Sequence, residues 1–424
     1  ARRRGAHPGR LRTGLMQPLT TRADTRSETY ASNREANLAA AKLHGAKIDS
    51  ATRLDKKWQI VWQIANHGAP GRDLSTGPLD LSRADLSRAN LQGANLSGVS
   101  LERANLSGAD LRGANLNHVG LQQTIINAET QLDDKWQLVW ELVNQGGSGR
   151  DLSGLNLSQA NLGQADLSQA DLSRAVLTGT NLSEANLYQA DLRGAILTEP
   201  DPQGGRPHQT NLSRANLAGA KRDGSTRLEE KWRLVWELVH RGGKGREVSG
   251  GDLRGADLRL VDLSEATLVG ARLEGANLQQ ANLGGADLNG AFLQTADLTG
   301  ASLDGANLYE AQLTGTQLPV GLGGANLRQA NLAGANLLGY QLRGLNLSRS
   351  DLRGANLAGA NLRQADLSEA HLEGAYLRQA DLRGANLRGV YLVQAYLRDA
   401  NLAGADLTGA GLKDAVMPDG AVHD

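Results

Sequence analysis

Residues able to do chemistry are scattered along this chain at spacings that suit no reaction. Among 424 residues there are eight histidines and no cysteine. The lack of cysteine excludes disulfides, thiol nucleophiles and cysteine-ligated metals. No His-x-His or HExxH spacing exists to grip a metal ion. No lysine is followed by serine or threonine, so there is no P-loop, and no GxSxG elbow is present. Three Gly-Arg turns, Gly71-Arg72, Gly149-Arg150 and Gly245-Arg246, have the composition of an anion cradle. The simpler reading is that they turn the chain into its next segment. No catalytic, cofactor-binding or metal-binding residue is expected, and the chain is not expected to be an enzyme.

What the chain has instead is a leucine at every fifth position. Leu253, Leu258, Leu263, Leu268 and Leu273 open the longest series, which runs to Leu318, drops one residue, and resumes from Leu322 to Leu412. On an α-helix five residues advance about 500°, so these leucines would wander round the axis. On a straight strand they would alternate between faces. Apolar side chains are nevertheless driven together, so the backbone has to bend once per repeat and coil into a solenoid. The residue two before each leucine is usually alanine (Ala256, Ala276, Ala286, Ala355), and should share the interior with it. The residue just before is Asn or Asp (Asn277, Asp287, Asn356). With Ser and Gly, these residues are expected at the bends.

A different element interrupts the repeats three times. TRLDKKWQIVWQIANHG starts at Thr52, TQLDDKWQLVWELVNQG at Thr130 and TRLEEKWRLVWELVHRG at Thr226. Thr52/Asp55, Thr130/Asp133 and Thr226/Glu229 have capping-box spacing, and Gly68, Gly146 and Gly242 suit helix C-termini. Trp58/Trp62, Trp136/Trp140 and Trp232/Trp236 lie four apart, on one face of an amphipathic helix of three to four turns. All six tryptophans of the chain are here. Each pair is expected to cap an open coil end, which otherwise exposes leucines and unpaired backbone.

The repeats resemble the pentapeptide-repeat proteins, whose consensus is A(D/N)LXX, over most of residues 36–417. The resemblance implies an all-β solenoid, a right-handed quadrilateral β-helix with four pentads per coil, decorated here by three short amphipathic α-helices. Many such proteins occur in cyanobacteria. The expected organisation is a basic tail over 1–34, a short array over 35–51, and three helix-led arrays. These cover 52–130, 131–225 (with a Pro/Gly-rich surface loop at 199–210) and 226–424. The helices either separate three capped units, the expectation adopted, or decorate one continuous solenoid.

Twenty residues per coil would bring together side chains far apart in sequence. Tyr376 then stacks on Tyr396 and His371 on Tyr391, with Val416 continuing the first column, to make a candidate interaction strip. Charge is uneven as well. Residues 1–34 carry eight arginines against Asp24 and Glu28, whereas 248–321 carry nine acids against Arg254, Arg259 and Arg272. The tail could dock on that acidic stretch or on another acidic partner. Family members that protect DNA gyrase mimic DNA with an acidic surface. Here the whole chain is neutral and 322–424 hold ten acids and ten bases, so a DNA-mimicking topoisomerase regulator is the disfavoured alternative. Direct DNA binding is not expected either, since only the tail is basic. After Leu412 no fourth helix follows, so the last coil is open or thinly covered by Met417 and Pro418, which invites a homodimer through the C-terminal coil. No apolar run is long enough to span a membrane. The expected function is a non-catalytic, cytoplasmic protein-interaction scaffold or assembly linker with a protein partner.

Overall fold

The structure, a computed structural model, describes residues 38–48, 52–76, 79–199 and 208–424. The basic tail lies outside these residues, as does the middle of the 199–210 insert.

The repeat builds itself from one turn. The Leu81 carbonyl accepts the Ala84 N–H at 3.2 Å, closing a turn over Ser82 and Arg83, and Arg83 has φ +60°. A left-handed third residue makes this a type II turn. Leu263 to Ala266 and Leu357 to Ala360 close in the same way. Between turns the backbone is extended and bonds to the coils on either side. The Leu258 N–H donates to the Asn277 carbonyl, and the Asn277 N–H returns to the Ala256 carbonyl, both at 2.8 Å. Parallel bridges therefore join residues twenty apart, as in Asp257↔Asn277↔Asp297. Four such columns, through 252, 257, 262 and 267, make up one coil. Each side is too short for more than a single bridge. Among the described residues the only extended strands are β1 (Thr198–Glu199) and β2 (His208–Gln209), which pair antiparallel at the mouth of the insert.

Leu and Ala fill the lumen, where most have no exposed surface. Where a hydroxyl replaces alanine it is satisfied internally: Thr180 Oγ1 donates to the Leu157 carbonyl and Ser350 Oγ to that of Leu347. The Asn and Asp residues differ from the expectation. They sit on the bridged sides, not in the bends. Their Oδ1 accepts the N–H two residues on, as Asp80 does from Ser82, and the Asn amides donate to the neighbouring coil, as Asn115 does to Asn95. The dropped residue shortens one coil to nineteen, pairing Asn307 with Asn326 and Gln312 with Asn331. Tyr340 takes the alanine position above it and donates its hydroxyl to the Leu318 carbonyl at 2.8 Å.

Three helices interrupt the coils: α1 (Lys56–His67), α2 (Asp134–Asn144) and α3 (Glu230–Arg241). The capping-box reading is corrected. The N-cap is the acid in each case (Asp55, Asp133, Glu229), and only Asp55 accepts a side-chain bond, from the Trp58 N–H. The threonine is spent elsewhere, because Thr130 and Thr226 donate their hydroxyls to the carbonyls of Leu106 and Leu192 in the preceding coil. Gly68 and Gly242 are the C-caps of α1 and α3, whereas α2 ends at Gln145.

Each helix is tied on both sides. Behind α2, Trp140 Nε1 donates to the Thr124 carbonyl and Asn144 Nδ2 to that of Leu121. Ahead of it, Gly147 is wedged between Leu142 of the helix and Leu167 of the next array. Gly243 is wedged likewise between Leu238 and Leu263. Backbone bonds also pass from array to array: Ala40 to Arg83, His118 to Gln159, Arg214 to Gly255. Apolar contacts are continuous from Trp58 to Ala415. At the far end the chain folds back, Val416 pairing antiparallel with Val422. That covers one side of the last coil, and Leu402, Leu407 and Leu412 stay partly exposed.

Candidate interaction surface

The twenty-residue register brings four aromatic side chains together. Bridges run Asp351↔His371↔Tyr391 in one column and Asn356↔Tyr376↔Tyr396↔Val416 in the next. Each ring is thrown outward by the alternation of the extended side, since the leucine after it points in. His371 and Tyr391 have centroids 4.6 Å apart with planes 6° from parallel, and Tyr376 and Tyr396 are 5.2 Å apart at 5°. Tyr376, Tyr391 and Tyr396 are each about half exposed. Because the rings lie face to face along the solenoid, they offer edges and phenol hydroxyls to solvent. Such a strip can bury ring edges while donating and accepting hydrogen bonds.

Polar contacts flank the strip. His371 Nδ1 lies 3.1 Å from Glu373 Oε1. Asp351, one coil away, is gripped by Arg353, whose hydrogen bonds hold its carboxyl below the usual range. This Asp-Leu-Arg clasp recurs at Asp110/Arg112, Asp191/Arg193, Asp252/Arg254, Asp257/Arg259 and Asp381/Arg383. The triplet is visible in the sequence, but its meaning depends on Asp and Arg leaning outward together on either side of a buried leucine. Phe292 is a further outward aromatic residue. It is 40% exposed and stands in the column of His371, reached through Phe292↔Gln312↔Asn331↔Asp351↔His371.

The tryptophans behave as two classes. Trp58, Trp136 and Trp232 are buried, each with the preceding lysine over its ring, at 5.1, 4.6 and 4.3 Å. Trp62, Trp140 and Trp236 donate Nε1 to a carbonyl sixteen residues upstream, those of Ala46, Thr124 and Ala220. The Gly-Arg turns are not anion cradles. Arg72 donates to Gln63, Arg150 to Glu141 and Arg246 to Glu237, so each guanidinium is turned onto its own helix. Arg246 in turn holds the Glu237 carboxyl low. Among the described residues no group of three His, Asp or Glu side chains is placed to hold a metal ion. None of their helices is long and apolar enough to cross a membrane.

A four-sided coil of A(D/N)LXX units is the feature that decides kinship. The family profile "Pentapeptide repeats" matches eight copies, at 80–117, 151–187, 160–198, 248–280, 276–315, 322–349, 346–384 and 380–417. The chain belongs to the pentapeptide-repeat family. This pentapeptide-repeat protein is similar to several solved structures. HetL, a pentapeptide repeat protein involved in heterocyst differentiation regulation from the cyanobacterium Nostoc sp. strain PCC 7120, is 32% identical. The match covers 65% of this chain and 92% of HetL, with a TM-score of 0.23. QnrB1, a plasmid-mediated fluoroquinolone resistance protein, is 22% identical over 41% of this chain and 86% of its own, with a TM-score of 0.24. A pentapeptide repeat protein of the Arabidopsis thaliana thylakoid lumen is 24% identical over 35% and 69%, with a TM-score of 0.09. No curated protein matches this chain.

Proposed function

We propose that this pentapeptide-repeat protein is a non-catalytic interaction scaffold or assembly linker, acting in the cytoplasm through a protein partner. Its coils are taken as right-handed, as in the family. The observation that carries the reading is the exposed strip of His371, Tyr376, Tyr391 and Tyr396, held in register by a rigid backbone. Tyrosine edges beside arginines are typical of protein interfaces. The three helix-led arrays act as capped units stacked end to end, with the tryptophan pairs as their caps. A second contact, a homodimer through the C-terminal coil, rests on the partly exposed Leu402, Leu407 and Leu412.

The test is a double substitution, Tyr391→Asn with Tyr396→Asn, which restores the residue type usual at these positions. Circular dichroism and melting temperature should stay as they were. A partner captured by the unmodified chain from its native host extract, and identified by mass spectrometry, should be lost. Retention of that partner at equal yield would defeat the reading. Leu407→Lys tests the end contact, since an end-to-end dimer seen by light scattering should disappear with it.

A further inference from the structure

One corner of the longest array is patterned in a way that the repeat does not require. It is formed by the two turn residues after each leucine in two successive bridged runs, Asp262↔Asn282↔Ser302 and Gly321↔Gln341↔Asn361↔Asp381. Stacked in order, the corner reads Ser264-Glu265, Gly284-Gly285, Asp304-Gly305, Gly323-Gly324, Arg343-Gly344, Arg363-Gln364, Arg383-Gly384. Backbone bonds join the rungs within and between the two runs, and the bridge Gly321↔Gln341 carries the step from Gly323 to Arg343. Glu265 donates to Gly284, Gly285 to Asp304, Gly305 to Gly323, Gly344 to Arg363 and Gln364 to Arg383. Below the Gly323 rung come the acids Asp304 and Glu265, with Lys244 on the rung beneath Glu265, and above it come three arginines. Each of these charged side chains is exposed.

The middle rung of this corner, Gly323-Gly324, has no side chain of its own. Gly323 has φ +34°, and the exposed Asp304 carboxylate of the rung below lies over it, in the place a Cβ would take. Counted outward from it, Asp304 is one rung down and Arg343 one rung up, while Glu265 is three down and Arg383 three up. An acid and an arginine at equal distances on either side of a glycine rung make a self-complementary surface, as an isologous dimer requires.

We infer that two copies of this chain pair side by side and antiparallel along this corner, about a two-fold axis at Gly323-Gly324. In that arrangement Asp304 of each copy meets Arg343 of the other, and Glu265 meets Arg383. A parallel arrangement would set arginine on arginine and acid on acid. The groups nearest the axis are available. No ion pair among the described residues engages Asp304 or Arg363, and Arg343 reaches only Gln364, at 3.4 Å. Arg383 holds Asp381 with Nε and Nη2 and keeps further donors free. Lys244 lies 3.6 Å from Glu265 and shares it. Rungs repeat at about 4.8 Å, so the contact is a narrow line, and the pairing is weak and salt-sensitive. It uses neither the tyrosine strip nor the coil end, so it stands apart from the proposed function.

Sedimentation velocity of the full chain tests it, at about 100 μM protein in about 20 mM and about 300 mM salt. A dimer at low salt whose dissociation constant rises at least roughly tenfold at high salt is expected. Arg343→Glu with Arg383→Glu should give a monomer, as should Glu265→Arg with Asp304→Arg. Mixing the two variants should restore a dimer, because each reversed corner then matches the other. A monomeric unmodified chain at low salt would overturn the inference, as would either variant dimerising alone. Loss of the dimer in Leu407→Lys would assign it to the coil end and likewise overturn the inference.

Discussion

Thr295 shows what single residues do in this coil. It occupies the left-handed turn position at φ +59°, where a β-branched side chain is least at ease. Elsewhere this position is filled mostly by Gly, Gln, Glu or Arg, and nowhere else among the described residues by a β-branched one; the ladder bond of its N–H, here to the Thr314 carbonyl, holds it in place. Thr295→Gly should therefore stabilise the chain by about 1 kcal/mol, less the freedom glycine adds to the unfolded state; a urea midpoint that falls would refute this. The Asp-Leu-Arg clasps make a second residue-scale claim. Hydrogen bonds from Arg254 pull the Asp252 carboxyl down to about 2. A depressed folded pKa adds stability above the unfolded value near 4, and that stability is lost as pH falls toward about 2. Arg254→Ala should then melt below the unmodified chain at pH 7 and match it near pH 2. Solvent screening keeps the gap to about 0.5 kcal/mol. A gap that is constant across the pH range would contradict the assignment.

At the scale of elements, the helices are the informative parts. Trp62, Trp140 and Trp236 repeat one bond to a carbonyl sixteen residues upstream, so each helix docks on the array before it by the same contact. Trp140→Phe keeps most of the ring's packing but leaves the Thr124 carbonyl unpaired. It should cost about 1 kcal/mol in urea unfolding, and an unchanged midpoint would show the bond to be idle. The tryptophan spacing and the glycines already marked these helices in the sequence. Their N-termini were misread because the threonine has two possible uses. Thr130 can cap a helix or bond to a carbonyl of the coil below, and only the stacked coil makes Leu106 available. The Gly-Arg turns lead into the next coil as expected, but the use of their arginines was hidden, since Glu141 and Glu237 lie nine residues upstream, on the helix surface facing Arg150 and Arg246.

For the whole molecule, everything outward-facing follows from the register. A five-residue leucine period implies a bent chain, and the interior of Leu258, Ala256 and their equivalents was legible from that alone. The outer columns were legible only once a coil length was supplied by family resemblance. Phe292 went unremarked because the dropped residue lies between it and His371, which breaks simple counting in twenties. The polar bonding of Asn115 to Asn95 could not be read either, because it needs neighbouring coils at hydrogen-bond distance. Since the chain lacks cysteine, the register can be read by crosslinking. A disulfide forms only where Cα atoms lie about 4.4–6.8 Å apart. Under mild oxidation Tyr376→Cys with Tyr396→Cys should close an intrachain disulfide, while His371→Cys with Tyr396→Cys should not. A failure of the first pair to close, or equal closure of both, would contradict the stacked coil on which the strip, the corner and the scaffold all depend.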